Sequence, residues 1–221
     1  MTCAALLLAA GSGTRFGGDQ PKVLAPLNGR AVVAWSLDAL VASEAINHIV
    51  VMVSESTMDS VADLVETIDT NKILDIVLGG EERQETVLRG LEHLSGDEAP
   101  DQVLIHDSAR PGLTASDVDR MALRLATGSI QGLTAGMPAA DTLVRASDDD
   151  PKLTLIDRKD VYRLQTPQGF DYPAILRAHQ EQADTAFTCD ATLFQAAGGT
   201  VEIITLKRPE QIVPVVEKRQ L

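Results

Sequence analysis

The apolar run from Cys3 to Ala10 ends in Ala9-Ala10-Gly11-Ser12-Gly13-Thr14-Arg15-Phe16-Gly17, and Pro21-Lys22 follows closely. Small residues let a backbone approach a triphosphate, so that amide N–H groups can face its oxygens. Arg15 and Lys22 add positive charge where an α-phosphate becomes crowded during transfer. The spacing is neither G-x-G-x-x-G nor G-x-x-x-x-G-K-[ST], which sets aside the dinucleotide and P-loop readings. A glycine-rich turn with solvated cations is the plainer alternative.

A second loop, Gly79-Gly80-Glu81-Glu82-Arg83-Gln84-Glu85-Thr86, offers main-chain groups, a hydroxyl and an arginine to a base or ribose. It also reads as an ordinary helix start, whose acidic first turn suits the macrodipole. The third loop is His106-Asp107-Ser108-Ala109-Arg110-Pro111. A carboxylate at a strand's end is a natural Mg²⁺ ligand, since Mg²⁺ takes oxygens and shares them with phosphates. Arg110 could clamp an acceptor phosphate, or pair with Asp107 and shape the loop. His106 reads as a hydrogen-bonded structural histidine. His48, His93 and His179 receive no role.

These loops need a frame. Cys3–Ala10, Ile46–Val53, Ile73–Leu78 and Gln102–Ile105 are short apolar or β-branched runs that read as strands. Ala31–Leu40, Ser56–Ile68 and Gln84–Leu94 have helical spacing, with Ser56 as N-cap. The alternation predicts a doubly wound, mostly parallel sheet, whose chemistry sits beyond the carboxyl ends of its strands. The loops after Ala10, Leu78 and Ile105 all fall there. From Pro138 the pattern changes. Thr142–Arg145, Leu153–Ile156 and Val161–Gln165 surround a polar turn, Ser147–Pro151, and predict a projecting β-arm at about residues 139–166. That arm is either a surface hairpin or a device that pairs two subunits. Helices follow at Tyr172–Gln182 and Asp190–Ala197, then a strand at Thr200–Ile204 and a helix opened by Pro209.

The chain has 221 residues, 44% of them hydrophobic, which suits a single α/β domain with a sizeable core. Its net charge of −13 argues against DNA or RNA as a partner. Cys3 and Cys189 form no metal-type spacing and no disulfide framework. Nothing at the N-terminus reads as a signal peptide and no apolar run is long enough to span a bilayer, so a reducing cytoplasm is the expected setting.

The segment Leu8-Ala9-Ala10-Gly11-x-Gly13-x-Arg15 with Pro21-Lys22 resembles the signature of nucleotidyltransferases with a Rossmann-like core. Gly79-Gly80-x-x-Arg83-x-x-Thr86, His106 to Pro111, Asp141-Thr142, Asp157-Arg158 and Thr166-Pro167-Gln168 follow in the order found in 2-C-methyl-D-erythritol 4-phosphate cytidylyltransferases. The resemblance runs from about Ala4 to Gly198. It implies a Rossmann-like three-layer α/β/α fold and a sequential reaction in which CTP and Mg²⁺ bind first. The acceptor phosphate then attacks the α-phosphorus and pyrophosphate leaves, in non-mevalonate isoprenoid biosynthesis. By the family pattern Ala9, Ala10, Gly11, Gly13, Gly80, Arg83 and Thr86 hold the nucleotide, and Arg15 and Lys22 stabilise the transition state. Asp107 serves metal or substrate, and Arg110 serves the acceptor. Thr142 and Arg158 reach the acceptor of a partner subunit through the arm, which implies a homodimer. Two departures stand out. Thr188-Cys189-Asp190-Ala191 places a cysteine where the family has the first of two acids. The family's Asn-x-Lys-x-Thr stretch before Pro209-Glu210 is missing, with Lys207 nearby. A cytidylyltransferase for another polyol phosphate, such as ribitol 5-phosphate, shares these motifs, and the missing lysine also admits a catalytically weak nucleotide-binding paralogue.

Overall fold

The computed structural model describes residues 1–11, 21–147, 150–207 and 215. Its elements in chain order are β1 (Cys3–Leu8), a 3₁₀ turn (Lys22–Leu24), β2 (Pro26–Leu27), β3 (Arg30–Ala31), α1 (Val32–Ala42), β4 (His48–Val53), α2 (Met58–Glu66), β5 (Ile73–Leu78), α3 (Arg83–His93) and β6 (Gln102–Asp107). These are followed by α4 (Ala115–Ala126), β7 (Gly132–Pro138), β8 (Leu143–Ser147), β9 (Asp150–Ile156), β10 (Tyr162–Asp171), α5 (Tyr172–Glu181), α6 (Asp190–Ala196) and β11 (Val201–Ile204).

Seven strands form one sheet in the order β11-β7-β10-β6-β1-β4-β5. All its pairings are parallel except those of β10, which runs antiparallel between β6 and β7. Strand β1 explains the layering. Its side chains alternate, so Cys3, Ala5 and Leu7 join one core while Ala4 and Leu6 join the other. On the first side pack Val33, Leu37 and Leu40 of α1 with Val118, Met121 and Leu125 of α4. On the second lie Val87 and Leu91 of α3, Ile175 of α5 and Phe194 of α6. The expected α/β/α sandwich with a mostly parallel sheet is what the chain forms, and its aliphatic strands are buried on both faces.

Three expectations need correction. The arm is narrower than residues 139–166. Within that span β8 and β9 pair as a two-stranded sheet of their own, while Tyr162 to Asp171 is a long strand of the main sheet. Thr166-Pro167-Gln168 is thus the interior of a strand, at the register break between Leu164 and Gln168. Ser56 is not an N-cap. Helix α2 begins at Met58, and the Thr57 hydroxyl in the cap position accepts from the Ser54 amide instead of capping the helix. The Ser56 hydroxyl bonds that of Ser54. Finally, α4 and β7 fill residues 115–138, where the sequence reading placed no element. The helix expected from Pro209 lies outside the described residues.

Candidate active site

The carboxyl ends of β1, β5 and β6 meet at one rim of the sheet, and short backbone bonds lock their loops together. The Ala9 amide donates to the Met52 carbonyl at 2.7 Å, and the Gly79 amide to the Val53 carbonyl at 2.8 Å. The first two loops therefore both hang from the end of β4. The Ser108 amide donates to the Leu8 carbonyl at 3.0 Å, which ties the third loop to β1. Glycine at 79 allows the closest approach: a Cβ there would lie 2.6 Å from the Ala10 Cβ and 2.9 Å from Thr86 Oγ1. Thr86 Oγ1 in turn accepts from the Gly80 amide at 3.0 Å, so Ala10, Gly80 and Thr86 form one contiguous wall. Ala9 is buried, Ala10 half-buried and Gly11 exposed, with open space where a Cβ of Gly11 would stand. Lys22 opens the 3₁₀ turn that resumes the chain after this loop. Gly13 and Arg15 lie outside the described residues.

His106 and Asp107 are the last residues of β6, paired with Leu7 and Leu8 of β1. Asp107 is held between two guanidinium groups. Arg83 Nε donates to its Oδ1 at 3.2 Å, and Arg110 Nε to its Oδ2 at 3.4 Å. Burial alone would raise the Asp107 carboxyl, but the two arginines more than offset it and hold the group below its usual range. Its backbone amide donates to Thr166 Oγ1 at 3.1 Å. The same hydroxyl stands 3.0 Å from His106 Nδ1. His106 Nε2 lies 3.3 Å from the Arg110 carbonyl, which can only accept, so Nε2 carries the proton and Nδ1 accepts from Thr166. Full burial pushes the imidazole down to about 4, as a neutral structural histidine requires.

A second carboxylate, unassigned from the sequence, completes the cluster. Arg83 Nη2 donates to Asp190 Oδ2 at 2.8 Å, and His179 Nε2 lies 3.2 Å from Asp190 Oδ1. Burial would raise the Asp190 carboxyl, but Arg83 and the His179 bond hold it well below the usual carboxylate range. Gln168 Oε1 accepts from the Ala191 amide at 2.9 Å while its Nε2 donates to Thr134 Oγ1, so β10 fixes the start of α6 and with it Asp190. The signals were present in the sequence. Asp190 follows Cys189 at the position of an acidic pair, and Gln168 belongs to the Thr-Pro-Gln motif.

The structure thus gathers Ala9, Ala10, Gly80, Thr86, Arg83, Asp107 and Arg110 at one rim. Thr142 and Arg158 sit elsewhere, at the base of the arm. Thr142 is exposed, Arg158 donates to the Ala140 carbonyl, and neither bonds the Asp107 cluster among the described residues. Lys207 lies over the start of α4, its Nζ donating to Ser116 Oγ at 3.3 Å. The chain returns to the third loop through Val215, whose amide donates to the Ala109 carbonyl at 2.8 Å. Each oxygen of Asp107 accepts from one guanidinium, and no three acidic, histidine or cysteine side chains converge to hold a metal among the described residues. The donor set therefore fits a Mg²⁺ ion that brings most of its ligands with it, as Mg²⁺ on a triphosphate does.

The family model for 2-C-methyl-D-erythritol 4-phosphate cytidylyltransferase matches residues 3–210. A protein of that name from Parasynechococcus marenigrum is 41% identical over 201 residues, which is 90% of this chain and 86% of the relative. A bifunctional enzyme IspD/IspF from Rhodospirillum rubrum is also 41% identical over 201 residues, covering 91% of this chain and 51% of that one. The fold is similar to that of a 4-diphosphocytidyl-2C-methyl-D-erythritol synthase from Anaerococcus prevotii, with a TM-score of 0.81, 23% identity, and coverage of 99% of this chain and 92% of that one.

Proposed function

Since this chain belongs to the 2-C-methyl-D-erythritol 4-phosphate cytidylyltransferase family, we infer how its rim performs the family's reaction. The enzyme transfers CMP from CTP to 2-C-methyl-D-erythritol 4-phosphate. A phosphate oxygen of the acceptor forms the new bond to the α-phosphorus, the α–β bridge bond breaks, and pyrophosphate leaves. Positioning and charge neutralisation carry most of such a transfer.

In this reading the wall of Ala9, Ala10, Gly11, Gly80 and Thr86 receives the nucleotide through main-chain groups and a hydroxyl. Gly13 completes the phosphate loop. Arg83, already fixed at two points, faces the nucleotide side of the rim. Lys22 and Arg15 neutralise the α-phosphate as its charge rises in the transition state. Arg110 turns from Asp107 to the acceptor phosphate. Asp107 would hold Mg²⁺, which would supply further charge neutralisation to the phosphates when bound. Thr142 and Arg158 serve the acceptor in a second subunit. The arm supports that arrangement, since Val144, Leu153 and Leu155 lie exposed on it and Val144 is paired across the strands with Leu155. A homodimer would cover this apolar strip. A cytoplasmic setting agrees with the free thiols of Cys3 and Cys189 and with a rim that awaits a soluble nucleotide.

The observation that carries the reading is Asp107 shared between Arg83 and Arg110, beside the small-residue wall. The test is pyrophosphate release from CTP and Mg²⁺ with methylerythritol phosphate or ribitol 5-phosphate as acceptor. Release with the first alone is expected. Release only with ribitol 5-phosphate would reassign the acceptor. CTP binding without release in either case would move the protein to a binding role.

A further inference from the structure

Arg83 is the only side chain among the described residues that links the two carboxylates of the rim, and its outer half depends on a chain of buried groups behind it. Asp190 is 1% exposed and His179 is equally buried. The Asp190 carboxylate can only accept, so His179 must present an N–H at Nε2. That assignment leaves Nδ1 as a bare acceptor, and it has no partner. The imidazole lies on the buried face of α5 and borders the cavity lined by Arg83, Glu85 and Phe187, and among the described residues its hydrogen-bond partner is Asp190. A second contact set fixes α5 against α3. Gln84 Nε2 donates to the Gln182 carbonyl at 3.0 Å, and Gln84 Oε1 accepts from the Phe187 amide at 3.1 Å. The residue next to Arg83 therefore clamps the segment that carries His179, and the two ends of the chain Asp107–Arg83–Asp190–His179 are held in register.

We propose that His179 is a positioning residue for the transfer reaction, holding Asp190 so that Arg83 is presented to the nucleotide in one orientation. The inference rests on the functional reading above for its effect on CTP, and on geometry alone for its effect on Arg83. Without the Nε2–H, Asp190 keeps Arg83 as its sole strong partner and can rotate with it. The guanidinium then loses its second fixed point, and the bond from its Nε to Asp107 loosens.

Two amide variants separate reach from polarity. In His179→Gln the amide nitrogen falls close to the place of Nε2 and still donates to Asp190. In His179→Asn it falls short, near the place of Nδ1. CTP binding with Mg²⁺ is read by calorimetry, and the Arg83 Nε–H signal by NMR of ¹⁵N-labelled protein, assigned by its loss in Arg83→Lys. H179N is expected to weaken CTP binding about tenfold, the loss of one hydrogen bond to a charged group, and to lose the Arg83 signal. H179Q is expected to keep both the signal and an affinity within about threefold of wild type. In an Arg83→Lys background H179N should add little, because the group it acts through is gone. Should H179N fail to fold by circular dichroism, His179→Leu fills the site without a donor and is expected to give the same losses. The proposal is overturned if the non-donating variant retains the Arg83 signal and CTP affinity, if H179Q and H179N lose them equally, or if the effect is undiminished in the Arg83→Lys background. Where wild-type protein releases no pyrophosphate with either acceptor, the functional reading falls, while the Arg83 signal still decides the role of His179.

Discussion

Thr166→Val removes one hydroxyl that serves two residues of the site while keeping nearly the same volume. The hydroxyl accepts from the Asp107 amide at 3.1 Å and donates to His106 Nδ1 at 3.0 Å. Thr166 and His106 are buried, so water does not replace either bond. A buried group left without its partner costs about 1–3 kcal/mol, and two such groups cost about 2–6 kcal/mol. A domain of this kind has a total stability of about 5–15 kcal/mol. For a chain of this length each kcal/mol lowers Tm by about 2–4 °C, so T166V should melt about 4–24 °C lower. Differential scanning calorimetry reads this directly. Thr166→Ser keeps the hydroxyl and should stay much closer to wild type. The same variant unties the amide of Asp107, so kcat/KM for pyrophosphate release should fall about tenfold, equivalent to about 1.4 kcal/mol. A T166V protein that melts within about 1 °C of wild type would refute the bridging role of this hydroxyl, since no arrangement that orphans two buried groups could be so mild.

Other outcomes follow from the same geometry. His106 has its pKa lowered to about 4 by burial; as pH falls from the ordinary imidazole range, the unfolded chain takes up its proton first, so stability is full near neutrality and declines by about 3 kcal/mol down to pH 4. Urea unfolding at several pH values should reveal that slope, and His106→Gln should flatten it. Gly79→Ala forces a Cβ to within 2.6 Å of Ala10 and 2.9 Å of Thr86; it should cost about 1–3 kcal/mol and weaken CTP binding in titration. In Gly80→Ala the atoms nearest the new Cβ belong to the Glu85 side chain, at 2.3 Å, which can swing aside at the cost of its bond to the Glu81 amide, so its melting point should change less. Leu155→Asp on the exposed strip of the arm should convert the proposed homodimer to a monomer in light scattering and reduce pyrophosphate release while leaving the circular dichroism spectrum intact.

Four strands of the frame were legible. The runs at Cys3, Ile46, Ile73 and Gln102 announce themselves by aliphatic and β-branched residues in short stretches, and β1, β4, β5 and β6 lie there. What misled was glycine and proline serving packing instead of turns. Strand β7 contains Gly132 and Gly136 because its neighbours leave no room: a Cβ would meet the Thr200 carbonyl at 2.9 Å and Ile203 Cγ2 at 2.6 Å. In β10, Gly169 lets α4 press onto the sheet, a Cβ there lying 2.6 Å from Leu125 Cδ1. Both strands carry the residues that sequence reading takes for loops. Helix α4 was different, since its signals were present and went unread: Thr114 caps it by accepting from the Asp117 amide, and Val118, Met121, Ala122 and Leu125 form its buried stripe. At the site, the loops were legible because chemistry at a sheet's carboxyl end needs small residues and charges in short order. The roles of Asp190 and His179 were not, because Asp190 meets Arg83 across more than a hundred residues and His179 acts through Asp190, and in a helix-by-helix reading each is merely one polar residue.

The rim of this enzyme is electrically quiet before any substrate arrives. Its two inner arginines are already answered by Asp107 and Asp190, in a molecule whose net charge is −13. A lone orthophosphate or sulfate approaching the rim gains little, because it must displace a carboxylate that is covalently fixed and perfectly placed by the sheet. In the proposed reading a triphosphate takes Lys22 and the loop amides at once, and Arg110 leaves Asp107 for the acceptor phosphate only once the nucleotide is in place. On that reading the rim would discriminate by the number of charges presented in one molecule, a chelate effect that would keep small anions from occupying the place of the nucleotide.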